Sequence, residues 1–303
     1  MLKPILALLL SGSAVAAQDA ETLSRHALDL VNEARKEQGL GSLALGDNLE
    51  KAAQAHATDM LERDFYAHVS PEGDDVADRY TDAGGSEWEL VAENIARCIG
   101  CDVPADLQRV DAFQEGWMNS PGHRANILAE GLERFGFATA SDDRTVYAVQ
   151  TFAGPGTSRG EEPGRAVDAQ AAAELALRRI NAARKENGLK PLQLDRGLQQ
   201  AAAELIPADL QGFALDDLDN LGDALPEDAL QGWRRIQTMG STCGGCGTEP
   251  VEGDVRAILG DWLDSDSPYR KQILQEGLTD AGMILRANGQ GRKVALLLLG
   301  EAL

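Results

Sequence analysis

Apolar residues recur at helical spacing through Leu23, Ala27, Leu28, Leu30, Val31 and Ala34, and the pattern stops ahead of Gly39 and Gly41. This predicts a first helix over Leu23–Glu37 with glycine stops. A second stripe of Leu49, Ala52, Ala53, His56, Ala57 and Met60, with Asp47 as candidate N-cap, predicts a helix through Leu61. Phe65 to Asp74 has turn composition, and a third helix is expected over Ala105 to Met118. Ser120 followed by Pro121 reads as an N-cap with proline at the first helical position, opening a short helix toward Leu128. Val146 to Phe152 alternates in β-branched and aromatic residues as a strand does, and the short apolar run Ala295 to Leu299 fits a buried strand. Helices mixed with short strands predict an α+β sandwich.

The pattern then repeats. Residues 32–61 align without a gap on residues 181–210: Asn32 on Asn181, Ala34 to Glu37 on Ala183 to Glu186, and Leu43, Leu45, Leu49, Ala52 and Ala53 on like residues. Downstream, Cys98 and Cys101 match Cys243 and Cys246, and Trp117 matches Trp262, after which one residue is inserted. A period of that length is too long for a solenoid, so each copy is expected to be a whole domain. Residues 154–165, rich in Gly, Pro, Ser and Glu, have the composition of a linker between residues 18–153 and 166–303.

Lys3, the apolar run Ile5 to Leu10 and the small residues Ser11 to Ala17 follow the order of a secretory signal peptide, expected over residues 1–17. The product is therefore expected in a periplasm or outside the cell. No later segment reaches the roughly 18 uninterrupted apolar residues of a membrane span. With 28 basic against 49 acidic residues, a net charge of −21 argues against nucleic acid as a partner.

Candidate chemistry is concentrated in the first copy. The chain has four histidines, His26, His56, His68 and His123, and none follows residue 123. His123 falls in the first turn of its helix, where the positive end of the dipole disfavours imidazolium and leaves a neutral ring. His68 lies in a loop; His26 reads as a solvated face residue and His56 as a packed or surface-paired one. Trp117 and Phe152 read as core aromatics. Glu93, inside the apolar stretch Val91 to Ala96, must find a partner, and the simplest is a histidine or a shared cation. The pairs Cys98–Cys101 and Cys243–Cys246 admit two readings: local disulfides, which an oxidising compartment favours, or four thiolates shared by one zinc.

The ordered motifs Asn32-x-x-Arg35, Ala53-x-x-His56-Ala-x-Asp-Met60, Phe65-x-x-His68-x-Ser-Pro71-x-Gly73, Glu93-Asn-Ile-Ala96, Trp117-x-x-Ser-Pro-Gly-His-Arg-x-Asn-Ile-Leu128 and Gln150-x-Phe152 resemble a bacterial CAP domain, the family of cysteine-rich secretory proteins, antigen 5 and pathogenesis-related 1 proteins. The resemblance covers about 130 residues of the first copy; the second reads as a degenerate relative in which Tyr269 replaces His123. It implies an α-β-α sandwich whose cleft gathers His68, Glu93 and His123, a set able to hold a divalent cation such as zinc with a position left open. Ser120 stands where eukaryotic members carry a second acid, and Glu115 is two residues before Trp117 rather than three after it.

Three functions remain open at this level. The first is an exported binding module whose cleft takes a cation, a small apolar molecule, a lipid or a cell-envelope component. The second is a metal-assisted hydrolase or peptidase with Glu93 as base or orienting group. Against it stand the absence of an HExxH helix, the expectation that no G-x-S-x-G nucleophile elbow occurs, and a Ser120 hydroxyl expected to be committed to backbone amides. The third is a structural or interaction protein in which the cleft residues form a hydrogen-bonded network and nothing more.

Overall fold

The computed structural model describes residues 10–160, 162–210, 212–218 and 231–303. They divide into two compact units, one ending at Gly154 and the other starting at Pro155. Of the predicted signal peptide, residues 1–9 lie outside the described residues, and the rest falls in the first helix.

In unit 1 that helix, α1 (Leu10–Glu37), starts thirteen residues ahead of the periodic stripe. Alanines at 14, 16, 17 and 20 favour helix without registering as an apolar face. There follow β1 (Ala44–Leu45), α2 (Asp47–Glu62), α3 (Val76–Asp82), β2 (Leu90–Ile99), α4 (Leu107–Asn119), α5 (Pro121–Ile127), β3 (Arg134–Ser141) and β4 (Thr145–Gly154). Gly46 rather than Asp47 is the N-cap of α2. The strand order is β1-β3-β4-β2, antiparallel except for β1 on β3. β4 lies between β3 and β2 and is buried from Val146 to Gly154. On one side Ala27, Val31, Val110, Phe113 and Trp117 pack on Phe152; on the other Ala53, Ala57 and Met60 of α2 pack with Ile95 and Val149. The result is the α-β-α sandwich.

Unit 2 repeats the plan with α6 (Ala169–Glu186), β5 (Gln193–Leu194), α7 (Arg196–Leu205), a 3-10 turn (Leu215–Leu218), β6 (Trp233–Cys243), α8 (Glu252–Leu263), α9 (Pro268–Ile273), β7 (Asp280–Ala287) and β8 (Lys293–Ala302). Its sheet order, β5-β7-β8-β6, is that of unit 1 strand for strand. The residues matched in sequence are those that lock the fold. Asn32 clasps the backbone of Leu43 through both amide atoms at 3.0 and 2.7 Å, and Asn181 does the same to Leu192 at 2.9 and 2.8 Å. Buried Arg35 donates to the carbonyls of Gly41, Ile127 and Ala129; buried Arg184 donates to those of Lys190, Ile273 and Gln275. Each arginine ties the loop after the first helix to the end of the short helix that follows the tryptophan. Burial pushes both guanidinium pKa values down, since carbonyl dipoles rather than a carboxylate face the charge. Gly136 and Gly282 let α2 and α7 approach the sheet: an added Cβ would lie 2.4 Å from the Leu49 carbonyl carbon or 2.3 Å from the Gln199 nitrogen.

The segment after Gly154 is not the free tether its composition predicts. It belongs to unit 2 and is strapped to it: Gly247 N donates to Pro155 O, Gly253 N to Pro163 O, Glu252 N to Arg165 O and Val167 N to Pro250 O. A fully buried pair, Lys293 Nζ to Asp254 Oδ2 at 2.6 Å, holds it further, Lys293 reaching Ser158 Oγ and Asp254 accepting from Arg159 N. The glycines here serve close backbone approach rather than flexibility. Each cysteine pair closes within its own unit, Cys98 with Cys101 and Cys243 with Cys246, as local disulfides. No helix among the described residues is long and apolar enough to cross a membrane.

Candidate functional site

Glu93 sits at the middle of β2, the edge strand, opposite Thr151 of β4, with its side chain 2% exposed. A carboxylate cannot stay charged there without partners, and it has two. His68 Nδ1 donates to Oε1 at 2.8 Å, and Arg79 Nη2 donates to Oε2 at 2.8 Å. The bond from Nδ1 fixes the His68 tautomer and leaves Nε2 as the ring's second nitrogen, on a side chain that is 52% exposed.

The His68-x-Ser-Pro-x-Gly pattern builds the loop that delivers this histidine. Ser70 N donates to Asp74 O, Gly73 N to Ser70 O, and Asp74 N to the Ser70 hydroxyl. Gly73 takes φ 108°, a conformation that excludes other side chains. α3 then begins with a capping box between Asp75 and Asp78, which aims Arg79 back at the loop. Besides Glu93, Arg79 donates to the carbonyls of His68 and Asp74 at 3.0 and 2.9 Å. Arg79 was not among the predicted site residues. One signal was available: it is the sole lysine or arginine between Arg63 and Arg97, in a stretch dense with aspartate.

His56 lies behind the carboxylate, fully buried. Its Nε2–H donates to Ala67 O at 2.9 Å and lies 3.8 Å from Glu93 Oε1, while Nδ1 is buried without a hydrogen-bond partner. Burial lowers the pKa of His56 against the opposing pull of Glu93, so the ring is neutral. His26, expected to be solvated, instead pairs with Asp111 at 2.6 Å.

α5 brings in His123, whose ring centre stands 6.5 Å from that of His68. Its pKa is lowered, as expected, but the first cause is burial and the second is the neighbouring His68 rather than the helix dipole. Asn94 Nδ2 donates to the His123 carbonyl at 3.1 Å, and Asn126 Nδ2 to the Glu93 carbonyl at 2.9 Å, joining α5 to β2. Ser120 is the N-cap of α5 by backbone conformation, yet its hydroxyl makes no capping hydrogen bond; the expectation that it is committed to backbone amides does not hold. Glu115, on α4, is exposed.

The structure thus brings His68, Glu93 and His123 together, with both oxygens of Glu93 already engaged. Among the described residues no group of three or more His, Cys, Asp or Glu side chains is placed to hold a metal ion. The donor set that fits a cation here is the two imidazoles, backed by a carboxylate in the second layer. The letters Gly156-Thr-Ser158-Arg-Gly160 do match G-x-S-x-G, against expectation, but they lie in the strap rather than on a strand-to-helix turn. Ser158 faces Lys293, whose charge is held by Asp254, so no base stands beside it.

A family model described as CAP, the cysteine-rich secretory protein family, matches residues 28–152. The first unit is a bacterial-type CAP domain. Two Bacillus subtilis proteins are similar to it: the uncharacterized protein YkwD, 33% identical over 109 residues (36% of this chain, 39% of its own), and the uncharacterized membrane protein YlbC, 32% identical over 126 residues (42% and 33%). The chain therefore spans well under half the length of these relatives. Among solved structures, an extracellular SCP-domain protein of Bacillus anthracis is similar over 44% of this chain and 40% of its own, at 28% identity and a TM-score of 0.36.

Strand register extends the comparison into unit 2, the degenerate CAP-like copy. Glu93 becomes Thr238, His56 becomes Leu205 and His123 becomes Tyr269. The locks of the fold persist while the cleft chemistry is gone.

Proposed function

We propose that the CAP cleft of unit 1 binds a divalent cation, zinc by ligand chemistry, through the imidazoles of His68 and His123, and that the chain is an exported binding protein. The observation that carries this reading is the triad Arg79–Glu93–His68 built on a buried carboxylate, which fixes one imidazole by its Nδ1–H beside a second, neutral one. Carboxylate-backed histidine is the arrangement that orients a metal ligand and raises its basicity. Bound there, the ion would supply a Lewis-acidic centre with positions open to a donor atom of a small molecule or envelope component. Glu93 and Arg79 orient; His68 and His123 hold. The signal-like N-terminus supports export.

Titration of the purified, tag-free full chain with zinc chloride, read by calorimetry and elemental analysis, tests this. One equivalent per chain in the wild type, lost in His68→Ala/His123→Ala, is expected. A wild type that binds no zinc, or a double variant that keeps the full equivalent, overturns the proposal. One observation favours a hydrolytic reading of the same cleft, namely the uncommitted Ser120 hydroxyl three residues from a neutral His123. Turnover of peptide or ester substrates abolished by both Ser120→Ala and His123→Ala would support that reading; turnover surviving both would remove it.

A further inference from the structure

Behind the cleft, four amides form a head-to-tail chain. Asn126 Nδ2 donates to Asn94 Oδ1 at 2.9 Å, Asn94 Nδ2 to Gln150 Oε1 at 3.2 Å, and Gln150 Nε2 to Gln114 Oε1 at 2.9 Å. Asn94 and Gln150 are fully buried and Gln114 nearly so. The chain ends on Gln114 Nε2, which has no partner. A buried amide costs free energy unless it is hydrogen-bonded, and replacing paired amides by apolar groups of the same shape can be nearly neutral for the fold. Three buried amides in a sandwich core therefore need an explanation that the core itself does not supply.

The second unit provides the comparison. By strand register and by spacing from the tryptophan, Asn94 corresponds to Met239, Gln150 to Leu297 and Gln114 to Leu259. All three amides have become buried or core apolar residues, Met239, Leu259 and Leu297, in a sheet of identical order. Asn126 corresponds to Gln272, which stays polar, and its Oε1 is buried without a partner, the residue of a chain whose other members are gone. The unit that lost the cleft histidine and carboxylate lost the amide chain with them, while it kept the Asn–Arg locks.

We infer that Asn126, Asn94, Gln150 and Gln114 are positioning residues of the cleft: the chain holds the first turn of α5, and with it His123, against β2, and the fold does not require it. The contact that does this is the one from Asn94 Nδ2, shared between Gln150 and the His123 carbonyl. The inference deepens the cation-binding reading and rests on it for the zinc arm of the test alone.

Two variants of the full chain decide it, Gln150→Met and the triple Asn94→Val/Gln114→Met/Gln150→Met, which approximates the apolar set of unit 2. The single change leaves one Asn94 N–H and the Gln114 acceptor without a partner, so it should lower the melting temperature of unit 1 more than the triple, which should melt within about 3 °C of the wild type. In the triple, the ring ¹H–¹³C resonances of His123 should move, and zinc affinity should fall by about tenfold or more. A triple that unfolds or melts below Gln150→Met shows that the amides serve the fold, and overturns the inference. A folded triple with unchanged His123 resonances does so as well. If the wild type binds no zinc, the cation reading fails, and the histidine resonances still decide the role of the chain.

Discussion

Replacing Glu93 by leucine isolates the charge balance on which the cleft stands. The substitution leaves Arg79, 11% exposed, without the carboxylate 2.8 Å away, and removes the acceptor for His68 Nδ1. Breaking a buried ion pair from one side costs about 3–5 kcal/mol, because the surviving charge stays desolvated. Arg79 keeps two carbonyl acceptors, His68 O and Asp74 O, which places the expected loss at the lower end, about 3 kcal/mol. With two units in the chain a single global unfolding free energy is ill defined, so the assay is hydrogen exchange of peptides covering β2 and β4. Their protection should drop by about 150-fold. Arg79→Leu should cost a similar amount, and Glu93→Leu/Arg79→Leu should cost less than the sum by about 1–3 kcal/mol, since no orphaned charge remains. A loss below about 1 kcal/mol for Glu93→Leu, or strict additivity of the pair, would refute the claim that the buried pair organises the loop.

Other outcomes follow from the same geometry. His56 and His123 both have lowered pKa values, so the unfolded chain binds more protons than the fold as pH falls below about 6.5; unit 1 should lose stability there, and His56→Leu should flatten that slope without abolishing it, as read by exchange at pH 5 against pH 7.5. Arg35→Met leaves three backbone carbonyls without their donor and Arg184→Met four, and each should cost about 3 kcal/mol, measured by hydrogen exchange of peptides from the unit concerned; a neutral outcome for either would mean that these locks do not hold the repeat. Gly136→Ala and Gly282→Ala push a methyl into the backbone of α2 and α7, and a loss of about 1–3 kcal/mol is expected from each; unchanged hydrogen-exchange protection of the α2 and α7 peptides would show that the helices yield freely.

Periodicity and repetition along the chain were sufficient for the larger architecture. The α2 stripe, the β4 alternation and the Ala295–Leu299 run all fall in elements of the expected type, because burying one face imposes its period directly on the sequence. The duplication was legible for the same reason: the Asn and Arg of each copy are tied to fixed backbone carbonyls and cannot drift. Not every short element was legible. α3 has seven residues, and its capping box sits in an acidic run that reads as solvent-facing. Composition misled at the strap, where Gly and Pro serve contact rather than freedom.

The cleft divides along the same line. His68, Glu93 and His123 could be named from their motifs, since each local segment carries its own capping and turn signals. Their hydrogen bonding could not, because it is set by three segments that meet only after the sheet forms. The tertiary structure alone supplied Arg79 as the second partner of Glu93, placed neutral His56 behind the carboxylate, and linked Asn94, Gln150 and Gln114 across 56 residues of chain. Buried polar groups must be satisfied by whatever lies nearest in space, and distance in space is the one quantity that a linear pattern of hydrophobic and polar positions does not carry.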